Sequence, residues 1–165
     1  MSALSTADAA ALLYREALHL DRFDFDSWLV MFTPDCLFWM PAWRDDGTQT
    51  EDPDSELSLI FYRGRRNLED RVQRIRSGFS VASAVMPRVS HQIANILCEA
   101  QGDGSVTVNS SFSVHVFDVR TSRSHVYFGR YEHRLVQVDG EWKIGEKIIR
   151  LMNDLVPTML DVYSI

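Results

Sequence analysis

The 165-residue sequence contains only two cysteines, Cys36 and Cys98, which lie far apart and form no Cys-x-x-Cys motif. We therefore expect reduced, buried thiols and neither a disulfide nor a zinc site built on cysteine pairs. Lys and Arg number 17 against 23 Asp and Glu, and this balance does not favour binding to nucleic acid or to an anionic membrane. No apolar run approaches the ~20 residues of a membrane span, and the first ten residues lack the features of a signal peptide. These absences predict a cytoplasmic protein.

The composition that remains is typical of a soluble globular protein. Hydrophobic residues make up 45% of the sequence and charged residues 24%. No repeat, low-complexity tract or internal linker divides the chain. We predict a single domain over residues 1–165.

The first half of the chain has helical periodicity. Residues 5–21 place Leu13, Ala17 and Leu20 at helical spacing behind a possible N-cap at Ser5 or Thr6. The elements predicted after this helix are a short helix from Asp24 through Phe32 that ends at Pro34, a strand over 36–41, a polar loop over 43–56, a strand over 57–62 and a helix over 67–77.

From Ser90 onward the hydrophobic period changes to two, which indicates strands. Strands are predicted over 90–100, 105–119, 125–138 and 141–154. Short turns such as Asp139-Gly140 separate them, and consecutive strands joined by short turns must be antiparallel. The predicted architecture is α+β, with N-terminal helices packed on a curved antiparallel sheet.

Two histidines and two tyrosines in the segment SHVYFGRYEHRLVQV raise the question of a metal or acid/base site. His125, Tyr127, Tyr131 and His133 would share one face of a strand because side chains alternate with period two. His125 and His133 are then about 26 Å apart at ~3.3 Å per residue, too far to bind one metal ion. We interpret the row as a packed face of the sheet.

Other catalytic patterns are missing or weak. The sequence has no His-Glu-x-x-His motif, no Cys-x-His pairs of a Rieske cluster, no Gly-rich phosphate loop and no Gly-x-Ser-x-Gly motif. His91, His115 and Tyr127 are candidates for acid/base work in a concave α+β fold, but strand histidines are more often structural. The residues alone therefore predict an α+β domain with no catalytic site, no bound cofactor and no metal of its own.

Four segments, WLVMFTPDCLFWMPAW, NLEDRVQRI, RVSHQIANI and FGRYEHRLVQVDGEWKIGEKIIRLMND, resemble in order the small (beta) subunit of aromatic-ring-hydroxylating dioxygenases. The resemblance spans roughly residues 10 to 160. The stretch MPAWRDDGTQTEDPDSELSLIFY is similar to the subgroup that acts on benzoate, anthranilate, halobenzoate or salicylate.

The resemblance implies a cystatin-like, nuclear-transport-factor-like cone. It also implies a non-catalytic assembly role beside a large (alpha) subunit and other small subunits, commonly as α3β3. The large subunit of this family carries the [2Fe-2S] Rieske cluster and the mononuclear iron. A stand-alone dehydratase or isomerase, or a small-molecule binding protein, on the same cone is the alternative. A His–Asp or Tyr–Asp set deep in the cone would favour the alternative.

The family pattern carries over to particular residues, which we interpret as determinants of fold and interface. They are Trp28, Phe32, Asp35, Trp39 and Pro41, then Glu69, Asp70 and Arg71, and then Ser90, His91 and Asn95; Phe38 stands where the family often has Tyr. Trp and Tyr side chains are common interface anchors, and the apolar tail PTMLDVYSI requires cover. The residues predicted at a subunit interface are Trp39, Trp43, Arg71, Arg74, His91 and Tyr163.

Overall fold

Three helices and six strands make up the described part of the chain, which is residues 4–78, 85–157 and 159–165 of a computed structural model. The helices are α1 (Thr6–Asp21), α2 (Phe25–Leu29) and α3 (Arg65–Arg76). The strands are β1 (Phe32–Pro41), β2 (Ser58–Arg63), β3 (Arg88–Ala100), β4 (Val106–Asp118), β5 (Arg123–Val138) and β6 (Glu141–Leu151). No helix among these residues combines the length and apolar character needed to cross a membrane.

The six strands form one curved sheet in the order β2-β1-β6-β5-β4-β3. The predicted α+β class is confirmed, and so is the antiparallel run from β3 to β6. The sheet is nevertheless mixed, because β1 pairs with β6 in parallel. Short turns force consecutive strands from β3 to β6 to be antiparallel. A long stretch of chain separates β1 from β6, so the connection does not fix the direction of β1 relative to β6.

The boundary between α2 and β1 differs from the prediction. The helix ends at Leu29, and Phe32 already begins β1, four residues before the predicted strand start. The Ile144 amide of β6 donates to the Met31 carbonyl at 2.8 Å, which draws this segment into the sheet. The spacing of Trp28 and Phe32 suggested a continuous helix, and their rings do meet edge to face with centroids 5.0 Å apart.

The concave face of the sheet and the helices enclose the core. Ser5 caps α1 by accepting a hydrogen bond from the Asp8 amide, as predicted. Side chains of the three helices meet alternate residues of β1, β4, β5 and β6; fully buried members are Leu13, Leu20, Trp28, Phe32, Phe38, Leu68, Tyr127, Tyr131, Leu135 and Ile144. Both cysteines are free thiols, as predicted, but only Cys36 is buried, whereas Cys98 is half-buried. Burial raises the pKa of Cys36 to about 11.

Two backbone positions shape the long strands. Gly129 of β5 lies so close to β6 that a Cβ there would be 2.0 Å from the Arg150 carbonyl oxygen. Asn95 has φ +55° at the irregularity between Ala94 and Leu97 in β3, and asparagine tolerates this left-handed conformation. The Asn95 of the family pattern is thus explained by local backbone geometry.

Candidate functional site

Three ionisable side chains meet inside the core, and we call them the buried ionic cluster (Glu16, His133 and Lys147). The Lys147 ammonium lies 2.7 Å from Glu16 Oε1, and His133 Nε2 lies 3.1 Å from Glu16 Oε2. Each residue is 1% exposed. Glu16 is on the buried face of α1, while His133 and Lys147 are direct cross-strand partners on β5 and β6. The fold therefore brings together groups 131 positions apart in sequence.

Aromatic rings complete the surroundings of this cluster. The Trp28 indole N–H donates to Glu16 Oε1 at 3.4 Å. The Lys147 ammonium lies 4.3 Å from the Tyr131 ring centroid and 5.7 Å from that of Phe38. A cation over an aromatic face is attracted by the ring quadrupole. Lys147 is thus stabilised by one carboxylate and two rings.

The ionisation states follow from these contacts. Burial acts to raise the pKa of Glu16, but the Lys147 charge and the His133 hydrogen bond outweigh it and hold that pKa well below its usual range. Burial lowers the pKa of His133 despite the neighbouring carboxylate. A neutral His133 must carry its proton on Nε2, because the ionised Glu16 only accepts. Within the described residues, His133 Nδ1 and the Tyr131 hydroxyl have no hydrogen-bond partner.

A second histidine–carboxylate pair lies at the end of α1. His91 Nδ1 is 2.6 Å from Asp21 Oδ1, and His91 Nε2 is 3.2 Å from the Ile165 carbonyl oxygen. The His91 side chain is 1% exposed. Both sets contain acid/base groups, but burial keeps substrate from His133, Glu16 and His91 in this conformation. The two sets are thus parts of the packed core and do not form an open catalytic site.

Acidification is expected to destabilise the fold in two steps. The folded-state pKa of His133 lies below the ~6.5 of an unfolded histidine, so the unfolded chain binds protons first as the pH drops below about 6.5. The pKa of Glu16 is depressed as well, and its contribution is lost below about pH 4.3. Urea titrations from pH 8 down to about pH 2 measure both steps.

The variant His133→Gln keeps a donor toward Glu16 and removes the imidazole, so we expect it to reduce the first step. The part that remains comes from His125, whose pKa is also lowered by burial. His115→Gln, on the exposed face of β4, is the matched control and retains that step. A wild-type stability that is constant from pH 7 to pH 5.5 would contradict the assignment of a neutral, buried His133.

The row predicted on β5 is confirmed as one face of the sheet. Tyr127, Tyr131 and His133 are buried, and His125 is half-buried at the same face. The His125 and Tyr127 rings lie 5.0 Å apart, as edge-to-face neighbours. The packing interpretation holds, although sequence reasoning missed the partners of His133. Among the described residues, no group of three His, Cys, Asp or Glu is placed to hold a metal ion.

The two tryptophans predicted at an interface lie at the end of β1. Trp39 is 4% exposed and donates from its indole N–H to Ser58 Oγ at 2.8 Å. Trp43 is half-buried and donates to the Leu151 carbonyl oxygen at 2.9 Å. Their indole nitrogens are therefore satisfied within the chain, and Trp43 retains the larger exposed surface.

The other predicted interface residues surround α3 and the C-terminal tail. Arg71 pairs with the buried Asp161, with Arg71 Nε 3.0 Å from Asp161 Oδ1. Tyr163 is 2% exposed and meets Phe23 edge to face, with ring centroids 5.6 Å apart. His91 is buried as described above, and Arg74 is exposed on α3. The structure thus joins Arg71, Tyr163 and His91 through the tail, which packs into the chain's own core.

Comparison with known proteins supports the resemblance to dioxygenase small subunits over nearly the whole chain. Residues 15–158 match the family described as the ring hydroxylating beta subunit. Benzoate 1,2-dioxygenase subunit beta of Acinetobacter baylyi is 37% identical over 100% of this chain and 96% of that protein. The 2-halobenzoate 1,2-dioxygenase small subunit of Burkholderia cepacia is 37% identical over 98% of this chain and 96% of that protein.

A solved structure agrees with the fold. The crystal structure of the benzoate 1,2-dioxygenase beta subunit of Burkholderia mallei is 34% identical, covers 100% of both chains and superposes with a TM-score of 0.81. This likeness confirms the predicted cone fold. The chain belongs to the ring-hydroxylating beta subunit family, the small subunits of multicomponent ring-hydroxylating dioxygenases.

Proposed function

We propose that this chain is the non-catalytic assembly subunit of a Rieske-type oxygenase that hydroxylates an aromatic carboxylic acid of the benzoate type. The observation that carries the proposal is the likeness of the whole chain to a benzoate 1,2-dioxygenase beta subunit. The proposed holoenzyme is a cytoplasmic α3β3 assembly. Its large subunit holds the [2Fe-2S] cluster and the mononuclear iron.

The interior of the cone supports an assembly role. The Lys147 charge and the His133 hydrogen bond satisfy the Glu16 carboxylate where an enzyme of this fold would need a reachable acid or base. Their burial means that the polar groups fix the position of α1 against β5 and β6. The side chains packed inside the cone leave its outer surface for partners.

We propose two roles for the six residues predicted at the interface. Trp43 and Arg74 have exposed surface and are proposed to contact a neighbouring subunit directly. The remaining four, Trp39, Arg71, His91 and Tyr163, are proposed to hold that surface in shape through their contacts inside the chain.

The alternative is a stand-alone dehydratase or isomerase, or a small-molecule binding protein. The His91–Asp21 pair is the kind of set that such an enzyme requires, at 2.6 Å. Both ring nitrogens of His91 already have partners, which leaves neither for a substrate. We therefore favour the assembly role.

The test uses the chain alone and the chain co-expressed with a benzoate-type large subunit from the genome that encodes it. Alone, the chain is expected to be colourless, without stoichiometric iron and inactive on aromatic acids. Together with its large subunit and electron-transfer components, it is expected to support hydroxylation of benzoate or a substituted benzoate. Turnover of an aromatic acid by the chain alone, or failure of the two chains to associate, would overturn the proposal.

A further inference from the structure

Two exposed surfaces of opposite charge lie at the same end of the sheet. Since β1 and β6 run in parallel and all other neighbouring strands are antiparallel, this end holds the β1–β2 connection, the end of β6 and the β4–β5 turn. We call residues 43–56 of the β1–β2 connection the acidic loop, and the β4–β5 hairpin over residues 113–128 the basic arm. In the described sheet, β6 lies between them.

The acidic loop is attached to the sheet and carries unpaired charge at its surface. The Trp43 indole N–H holds it to the Leu151 carbonyl oxygen at 2.9 Å, and Arg44 pairs with Glu56 inside the loop. The carboxylates of the loop that are exposed and have no ion pair within the described residues are Asp45, Asp46, Glu51 and Asp52. Leu57, which directly follows, is 81% exposed. The loop is thus a negative surface beside an apolar side chain.

The basic arm projects beyond the end of β6. The last pair between the two strands joins Gly129 of β5 to Leu151 of β6, and the hairpin continues from there to Arg123, about 20 Å further at ~3.3 Å per residue. Arg120 and Arg123 are exposed at its tip. Phe128, nearer its base, is 49% exposed. The arm is thus a positive surface that also carries an apolar side chain.

The two surfaces do not neutralise each other within one chain. Three strand spacings of about 4.8 Å separate the loop from the arm, or roughly 14 Å, which exceeds the ~8–10 Å Debye length. Asp118 is the single carboxylate in the sequence of the arm, and it lies 3.9 Å from Arg120, a weak contact. Arg123 has no ion pair within the described part of the chain. Opposite charges therefore remain available on both surfaces.

We propose that the basic arm of one copy of this chain binds the acidic loop of the next copy, so that small subunits join head to tail. Both surfaces are present in the same chain, and they match in charge and in exposed apolar side chains. Because they lie at one end of the sheet on different sides of β6, rotation about an axis along the strands brings arm and loop together at the same level. Head-to-tail contacts of this kind close into a ring. The inference rests on the proposed function only for the number of copies, three, and adds the surfaces that join them.

Reversal of charge tests this contact. The loop variant is Asp45→Lys/Glu51→Lys. The arm variant is Arg120→Glu/Arg123→Glu. Each variant places like charges opposite each other, whereas the combined four-residue variant restores attraction and keeps the net charge of −6. Sedimentation velocity of the isolated chain over a concentration series at low salt measures self-association. We expect each two-residue variant to raise the dissociation constant at least about tenfold and the four-residue variant to return to within about threefold of the wild type.

The control variant is Arg15→Glu/Arg22→Glu, at exposed positions in α1 and directly after it. It changes the net charge by the same amount as the arm variant, and we expect it to self-associate like the wild type. Thermal midpoints verify folding. If the arm variant does not fold, Arg123→Glu and its rescue by Glu51→Lys replace it.

The outcomes separate this inference from the proposed function. A chain that self-associates as expected but does not bind its large subunit would overturn the proposed function and leave the contact between arm and loop standing. A wild type that stays monomeric at low salt, or a four-residue variant that regains no association, would overturn the contact while the function stands. An arm variant that loses the large subunit but self-associates normally would assign the arm to that subunit and show this inference to be wrong.

Discussion

Replacing Lys147 by methionine is expected to lower the free energy of unfolding by about 3–5 kcal/mol, the cost of leaving a buried charge without its partner. Methionine fills nearly the same volume, so the loss reflects electrostatics more than packing. Among the described residues, Glu16 would then retain His133 and the Trp28 indole N–H as partners in the core. Urea denaturation with linear extrapolation measures the change.

Two controls isolate the origin of that loss. Lys143→Met removes a surface ion pair with Glu141 and is expected to change stability by less than about 1 kcal/mol. The double variant Glu16→Met/Lys147→Met leaves no unpaired charge and is expected to regain much of the loss, because apolar replacements of buried ion pairs are often well tolerated. Equal effects of Lys147→Met and Lys143→Met would show that the buried ionic cluster does not stabilise the core.

Deletion of residues 161–165 is expected to abolish folding or come close to it. Val162, Tyr163 and Ile165 are 1%, 2% and 0% exposed. Each such side chain contributes about 1.5–3 kcal/mol by burial, so their sum is comparable to the 5–15 kcal/mol stability of a typical domain. The deletion also leaves Arg71 without the Asp161 carboxylate.

Circular dichroism and the thermal midpoint measure this effect, with Leu155→Ser as the control at a side chain that is 79% exposed. Tyr163→Ala gives a graded version, with an expected loss of about 3 kcal/mol or more. A truncated chain with a normal midpoint but weakened association would instead make the tail an interface element.

The C-terminal strands could be predicted from the sequence because alternation and short turns are local signals. The four strands from Arg88 to Leu151 follow that pattern closely. The parallel pairing of β1 with β6 has no local signal, since it depends on which edge the N-terminal segment meets. The start of β1 at Phe32 could not be predicted, because the spacing between Trp28 and Phe32 fits a continuous helix equally well.

The buried ionic cluster could not be predicted for a related reason. Glu16 adjoins the apolar positions of α1, and a lone glutamate there resembles a solvated residue. Lys147 is at an inward position of β6, but its partner is 131 residues away in sequence. The sequence signal that could have revealed the cluster was a lysine at an inward position of β6 together with a glutamate at an inward position of α1.

The most direct test of the central claim is native mass spectrometry of the chain co-purified with its benzoate-type large subunit, combined with iron analysis of the separated chains. We expect equal numbers of the two chains, three of each, with all of the iron on the large subunit. A chain that purifies without its large subunit, or that retains stoichiometric iron after separation, would contradict its assignment as the assembly subunit.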